Sequence, residues 1–307
     1  MRASRSPHSI FSRLASAQIR YEPFPCVWTD EALDPGYYAE LAASFPALDR
    51  IAGPGPLPSN KVFRLPASKA LADSGLPAIW RDFFAYHTSG AFLQEQVAFW
   101  RAAIDREYPD LEGRFGKPLS QLTAGVRHYR GKLPENLIEN LQADAMLDCQ
   151  FVVNSPVRTP SSVRGPHVDK PFKLFAALLY FRDPADRSTG GDLLLEHFTG
   201  GPGSFDRRQQ VRSGSITAVE RVPYGPNTLV AWLNTPRSLH SVSPRSVTTV
   251  PRRYVNFLTQ CYTIFAEGFF ELPRTLPGWL HATAKRAWRR SLLRSSARSL
   301  SSESGLS

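Results

Sequence analysis

The feature that most constrains this 307-residue chain is a change of rhythm near Gln121. From there, short β-type runs follow one another: Leu122–Tyr129, Met146–Val153, Phe172–Phe181, Asp192–Glu196, Thr228–Leu233, Ser238–Val242 and Tyr254–Thr263. Gly, Pro, Asn or Asp punctuate most of them, as turns require. Strands at this spacing, without helices between them, predict an antiparallel β-sandwich or jelly roll rather than a parallel α/β sheet. Residues 197–226, rich in Gly, Ser and Arg, are too long for a simple hairpin and read as an insertion.

Upstream the pattern is mostly helical. Organised sequence begins at Tyr21, with a short strand over Phe24–Trp28. A helix starts at Asp34 or Pro35, carries Leu41 and Phe45 at helical spacing, and ends at Pro46. Residues 52–68 are Pro-, Gly- and Ser-rich and predict a loop. Over 69–108, Phe92, Val97, Phe99, Trp100, Ala103 and Ile104 form one apolar helical face. Residues 277–298 return to helix. The expected fold class is α+β in four parts: a loose basic lead over 1–20 with a short amphipathic helix around Ile10–Ile19, a strand-helix lead with supporting helices over 21–120, a β core over 121–265, and a basic helix with a disordered tail over 266–307.

Net charge is +10, but its location matters more than its size. Residues 1–20 carry four Arg and no acid; residues 274–307 carry six Arg, one Lys and one Glu. Those ends account for the whole excess, and the 253 residues between them hold 26 basic and 26 acidic groups. That distribution argues against a basic catalytic face for nucleic acid. Along 277–298, Trp279, Leu280, Ala284, Ala287, Trp288 and Leu292 recur beside Lys285, Arg286, Arg289 and Arg290. Such a helix packs on the core with a solvated basic face, or lies on an anionic membrane or an acidic partner. Mean hydropathy is −0.28, and the longest apolar run, Leu174 to Phe181, falls short of the roughly 20 residues that span a bilayer. The basic N-terminus has no apolar stretch before a small-residue cleavage site. Cys26, Cys149 and Cys261 are few, far apart and without CxxC spacing, so they predict buried thiols in the reducing cytoplasm.

The chemistry gathers at His167-Val168-Asp169. In an extended segment, residues i and i+2 point to the same side, so imidazole and carboxylate converge. One such pair is weak evidence. His240, 73 residues on in the β-type run Leu239-His240-Ser241-Val242, supplies a third ligand from another strand. Two His and one carboxylate suit Fe(II) and leave positions open for co-substrate and oxygen. His128 is the reserve candidate, with a plain strand histidine as its simpler reading. A dicarboxylate co-substrate needs a cation, for which Arg is well shaped. Arg245, Arg252 and Arg253 all follow His240. If Arg253 opens the last strand pointing inward, Arg252 faces outward by alternation.

In order, His167-Val168-Asp169, Leu179-Tyr180-Phe181, Thr189-Gly190-Gly191-Asp192-Leu193, Asn227–Val242 with His240, and Arg253 before Tyr254 resemble the prolyl-4-hydroxylase-like branch of the Fe(II)/2-oxoglutarate dioxygenases. The match covers roughly residues 121–265, and Tyr21–Phe45 more loosely resembles the lead of bacterial members. Arg253 follows His240 at a longer spacing than the family's usual one, and Val255 stands where a small hydroxyl residue is common. The resemblance implies a double-stranded β-helix with Fe(II) at one mouth, held by His167, Asp169 and His240. It implies 2-oxoglutarate as co-substrate, its far carboxylate held by Arg253 and Tyr180, with O2 consumed and ascorbate as an auxiliary reductant. The substrate would be a small molecule or a peptide. A reading from another class is a catalytically silent jelly-roll module that binds a glycan or protein; it predicts no metal uptake.

Overall fold

The computed structural model describes residues 8–128, 139–199, 205–206, 209–211, 216–264, 267–274 and 276–303. Ten strands are present among them: β1 (Cys26–Thr29), β2 (Val62–Leu65), β3 (Ala124–Val126), β4 (Ala145–Asn154), β5 (Lys173–Tyr180), β6 (Leu193–Phe198), β7 (Ile216–Val222), β8 (Leu229–Leu233), β9 (His240–Val242) and β10 (Arg252–Gln260). The helices are α1 (Pro35–Ala43), α2 (Leu48–Ala52), α3 (Ala67–Ala70), α4 (Ala78–His87), α5 (Gly90–Glu107), α6 (Leu111–Phe115) and α7 (Leu276–Glu303).

The strands form two sheets. The larger runs β1-β8-β5-β10-β4-β2, antiparallel throughout, with β3 added parallel to β4; the smaller runs β7-β6-β9. Alternation divides β5 and β10 into two working faces. Phe175, Ala177, Leu179, Val255 and Phe257 face the helical side, where α4 and α5 bury Trp80, Phe83, Phe84, Phe92, Phe99 and Trp100 in one core. Ala176, Leu258, Val230 and Trp232 face the other way and meet Leu193, Leu195 and Val222 of the smaller sheet. The layers are therefore helices, large sheet, small sheet, an α+β arrangement with mostly antiparallel strands. Covering the large sheet on both sides explains why all ten residues of β4 are buried.

Local chemistry sets the element ends. The Asp34 carboxylate accepts hydrogen bonds from the Gly36 and Tyr37 amides, with Pro35 in the first turn of α1. Gly190 lies at φ +76°, and a Cβ there would sit 1.9 Å from the Pro244 carbonyl oxygen, so only glycine lets the chain enter β6 beside that loop.

Three expectations are corrected. Residues 8–20 are not a loose lead: Ile10, Phe11, Leu14 and Ile19 are buried in the main core, with turns and a three-residue 3₁₀ helix (Ser16–Gln18) in place of an amphipathic helix. The loop over 52–68 contains β2, which pairs with β4 at the sheet edge. The 197–226 insertion contains β7, paired along β6; part of that insertion lies outside the described residues. All three cysteines are buried free thiols. Among the described residues no helix is long and apolar enough to cross a membrane.

Candidate metal centre

The smaller sheet carries the first two of three converging side chains. The backbone of His167 exchanges hydrogen bonds with that of His240, extending the sheet beyond β9. Asp169 follows two residues after His167. One ligand atom from each of His167, Asp169 and His240 lies within 4.8 Å of the others. The structure thus brings together the three residues singled out from the HxD pair and the distal histidine.

Both imidazoles are oriented through their far nitrogens. His167 Nδ1 lies 3.0 Å from the Gly165 carbonyl and His240 Nδ1 lies 2.9 Å from the Ser238 carbonyl. A carbonyl only accepts, so Nδ1 must donate, and each Nε2 keeps its lone pair. Burial, reinforced by His240, pushes His167 well below the usual histidine range. His240 is lowered too, by burial that outweighs the opposing charge of Asp169. Both rings are consequently neutral near pH 7, the form that ligates a metal.

Asp169 behaves oppositely. Burial would raise its carboxyl, but the Lys173 ammonium, 2.9 Å from Oδ1, holds it well below the ordinary range. The bond to Lys173 engages Oδ1 and leaves Oδ2 for a cation. Lys173 was not foreseen; its only sequence signal is its place four residues after Asp169. Two neutral nitrogens and an ionised carboxylate are a donor set that Fe(II) accepts.

Beside these three side chains is a cavity of about 410 Å³, also lined by Lys173, Leu178, Trp232, Tyr254, Asn256 and Leu258. Trp232 packs on His240, with ring centroids 4.8 Å apart, and its indole N–H has no hydrogen-bond partner among the described residues. Tyr254, Asn256 and Leu258 come from one face of β10. Arg252 belongs to that same face.

Here the expected orientation of the arginine pair reverses. Arg253 points to the helical side, lies over the Phe45 ring, pairs with Asp183 at 3.2 Å and donates to the Phe181 carbonyl. Arg252 is buried among the rings of Tyr180, Tyr224 and Tyr254, 4.7–4.9 Å from their centroids. Its Nε donates to the Gly191 carbonyl, while Nη2 makes no hydrogen bond of good geometry among the described residues. No carboxylate pairs with Arg252 among the described residues. Tyr180 faces Arg252, whose guanidinium is close enough to donate toward its buried hydroxyl, and no other hydrogen bond reaches that oxygen among the described residues. Burial pushes that phenol up to about 12, against the charge of Arg252. Arg245, the third candidate, is already neutralised: it pairs with buried Asp186 at 2.8 Å. His128 lies away from the site, its ring 3.6 Å from Glu139.

No family model matches the chain, and no curated protein matches it. Among solved structures it is similar to a prolyl-4-hydroxylase from Pseudomonas putida, at 16% identity over 77% of this chain and 92% of that one, with a TM-score of 0.34. It is also similar to a prolyl 4-hydroxylase from Phytophthora capsici, at 15% identity over 96% and 79% of the two chains and a TM-score of 0.48. A third is a prolyl hydroxylase from Trichoplax adhaerens in complex with a hypoxia inducible factor peptide fragment, at 10% identity over 82% and 91%, with a TM-score of 0.39. At these values the site's own geometry, not the likeness, carries the chemistry.

Proposed function

We propose that this chain is an Fe(II)- and 2-oxoglutarate-dependent oxygenase, its two facing sheets forming a double-stranded β-helix. The observation that carries this reading is the convergence of two neutral imidazoles and an ionised carboxylate beside a cavity, with a buried guanidinium that lacks an anion on the cavity face of β10. His167, Asp169 and His240 would hold the metal. Arg252 and the Tyr180 hydroxyl would receive the far carboxylate of 2-oxoglutarate, taking the role the resemblance gave to Arg253 and Tyr180. Arg252 Nη2, which makes no hydrogen bond of good geometry among the described residues, fits that group with the Tyr180 hydroxyl beside it: a buried donor left unsatisfied is costly, and a carboxylate satisfies it.

When bound, Fe(II) and 2-oxoglutarate supply O2 activation coupled to oxidative decarboxylation. The chain's own residues do the rest. Gly165 and Ser238 fix the ring orientations through Nδ1, a second layer of bonds of the kind that sets metal affinity. Lys173 keeps Asp169 ionised and restricts its rotation. Leu178, Trp232 and Leu258 form the apolar part of the cavity wall. A small molecule or a peptide is the substrate class, and ascorbate a candidate auxiliary reductant.

The test is succinate release from 2-oxoglutarate under Fe(II), run across a substrate panel with mass spectrometry for a product that has gained one oxygen. The expected result is metal-dependent succinate that disappears in Asp169→Ala. Turnover that is unchanged in Asp169→Ala, or a wild-type protein that takes up no Fe(II) anaerobically, would sink the reading and favour a silent binding module.

A further inference from the structure

A second cavity, of about 360 Å³, lies between α7 and the segment that carries the metal ligands. Its charge is lopsided. Arg164, Lys170, Arg274, Lys285, Arg286 and Arg289 line it, against two carboxylates, Glu267 and Glu271. Both carboxylates are engaged, Glu267 by Arg290 and Glu271 by Arg286, each at 2.6 Å. No ion pair reaches Arg164, Lys170, Arg274 or Lys285 among the described residues, although Asp206 and Glu271 lie near enough to act on Arg274. Burial, then Arg289 and Arg274, push the Lys285 ammonium below its usual range. Gathering like charges around one partly enclosed volume is unfavourable unless an anion joins them.

The two cavities are neighbours. Arg164 lines both, and its charge acts on both His167 and His240. Lys170 directly follows Asp169. An anion among Arg164, Lys170, Arg274 and Lys285 would therefore sit beside the metal ligands, with Arg164 on the shared wall. The donors arrive from different directions: the loop before His167, the residue after Asp169, the segment before α7 and α7 itself. That spread suits a tetrahedral group with oxygens on every side better than a planar carboxylate, which one Arg fork can satisfy.

We propose that this basic cavity binds the phosphate of a phosphate-bearing substrate and so presents the rest of that molecule to the metal centre. The proposal rests on the oxygenase reading for the purpose of the site, but its binding step can be measured without the metal. Metal-free protein is titrated with inorganic pyrophosphate by calorimetry, and is sedimented with phosphatidylcholine vesicles with and without phosphatidic acid. The same titrations use Arg274→Glu/Lys285→Glu and the milder Lys285→Gln, with circular dichroism to verify that each variant is folded. Saturable binding of either probe by the wild type, weakened about tenfold or more in the double variant and partly in Lys285→Gln, supports the site. Pyrophosphate alone marks a soluble phosphate ester; vesicles that require phosphatidic acid mark a lipid-borne one. Binding of neither probe, or binding that survives unchanged in the folded variants, overturns it. Fe(II) uptake, measured separately, tests the oxygenase reading, so the two can fail independently.

Discussion

At the scale of single residues, adjacent arginines on one strand face opposite ways. Arg252 stands on the cavity face without a carboxylate partner, whereas Arg253 is tied to Asp183 on the helical face. Arg252→Met should therefore weaken 2-oxoglutarate binding by about tenfold to a hundredfold, the worth of a charge-assisted hydrogen bond. Arg253→Met should leave it within about twofold, since it removes a partly exposed pair. Anaerobic calorimetry on Fe(II)-loaded protein reads both, and the reverse order would return the role to Arg253. The convergence of His167 and Asp169 was legible because two-residue alternation aims them together whatever lies behind them. The arginine choice was not. Both faces of β10 are apolar, Val255 and Phe257 toward the helices and Tyr254 and Leu258 toward the cavity, so no polar-apolar rhythm says which parity points inward.

At the scale of elements, the entry to β6 depends on neighbours distant in sequence. Arg245 and Asp186, both buried, pair beneath it, with Ser188 bonded to each. Arg245→Ala leaves the buried Asp186 charge with Arg182, 3.6 Å away, as its remaining counterion and should cost about 2–3 kcal/mol. Urea unfolding measures this; a loss under about 1 kcal/mol would mean the pair is dispensable. Gly190→Ala should destabilise as well, because φ is positive there and the new methyl meets backbone rather than a movable side chain. The start of helix α1 was readable from Asp34 and Pro35, since its cap is local, although the helix stops at Ala43, short of the expected Phe45. Strands β2 and β7 were not. Four residues at a sheet edge and a run inside a Gly/Ser/Arg-rich segment owe their pairing to β4 and β6, and tertiary pairing leaves little trace in local composition.

At the scale of the whole molecule, the N-terminal segment is part of the core, and one histidine ties it there. His87 Nδ1 donates to the Phe83 carbonyl at 2.7 Å, and Nε2 accepts from the Ile10 amide at 3.2 Å. Both nitrogens are used by the neutral ring, and burial lowers its pKa from 6.5 to about 3. Below pH 6.5 the unfolded chain takes up this proton and the folded chain does not, so stability falls as pH drops from 6.5 toward 3. Between pH 7 and pH 5 this one group should cost about 2 kcal/mol. Denaturant midpoints for wild type and His87→Phe give the difference, and an identical pH dependence in the two would contradict it. A basic composition made residues 8–20 read as a loose lead, because Ile10, Phe11 and Leu14 reveal their destination only once α5 is in place. The same assembly brings His167, Asp169 and His240 together, and one measurement tests most directly the proposal that they hold Fe(II). Fe(II) is added anaerobically to the protein with 2-oxoglutarate, and the visible charge-transfer band of the chelate is followed. The band should appear in the wild type, be absent in folded His240→Ala, and need more 2-oxoglutarate in Arg252→Met. A folded wild-type protein that binds Fe(II) weakly or shows no band at saturating 2-oxoglutarate would contradict the account.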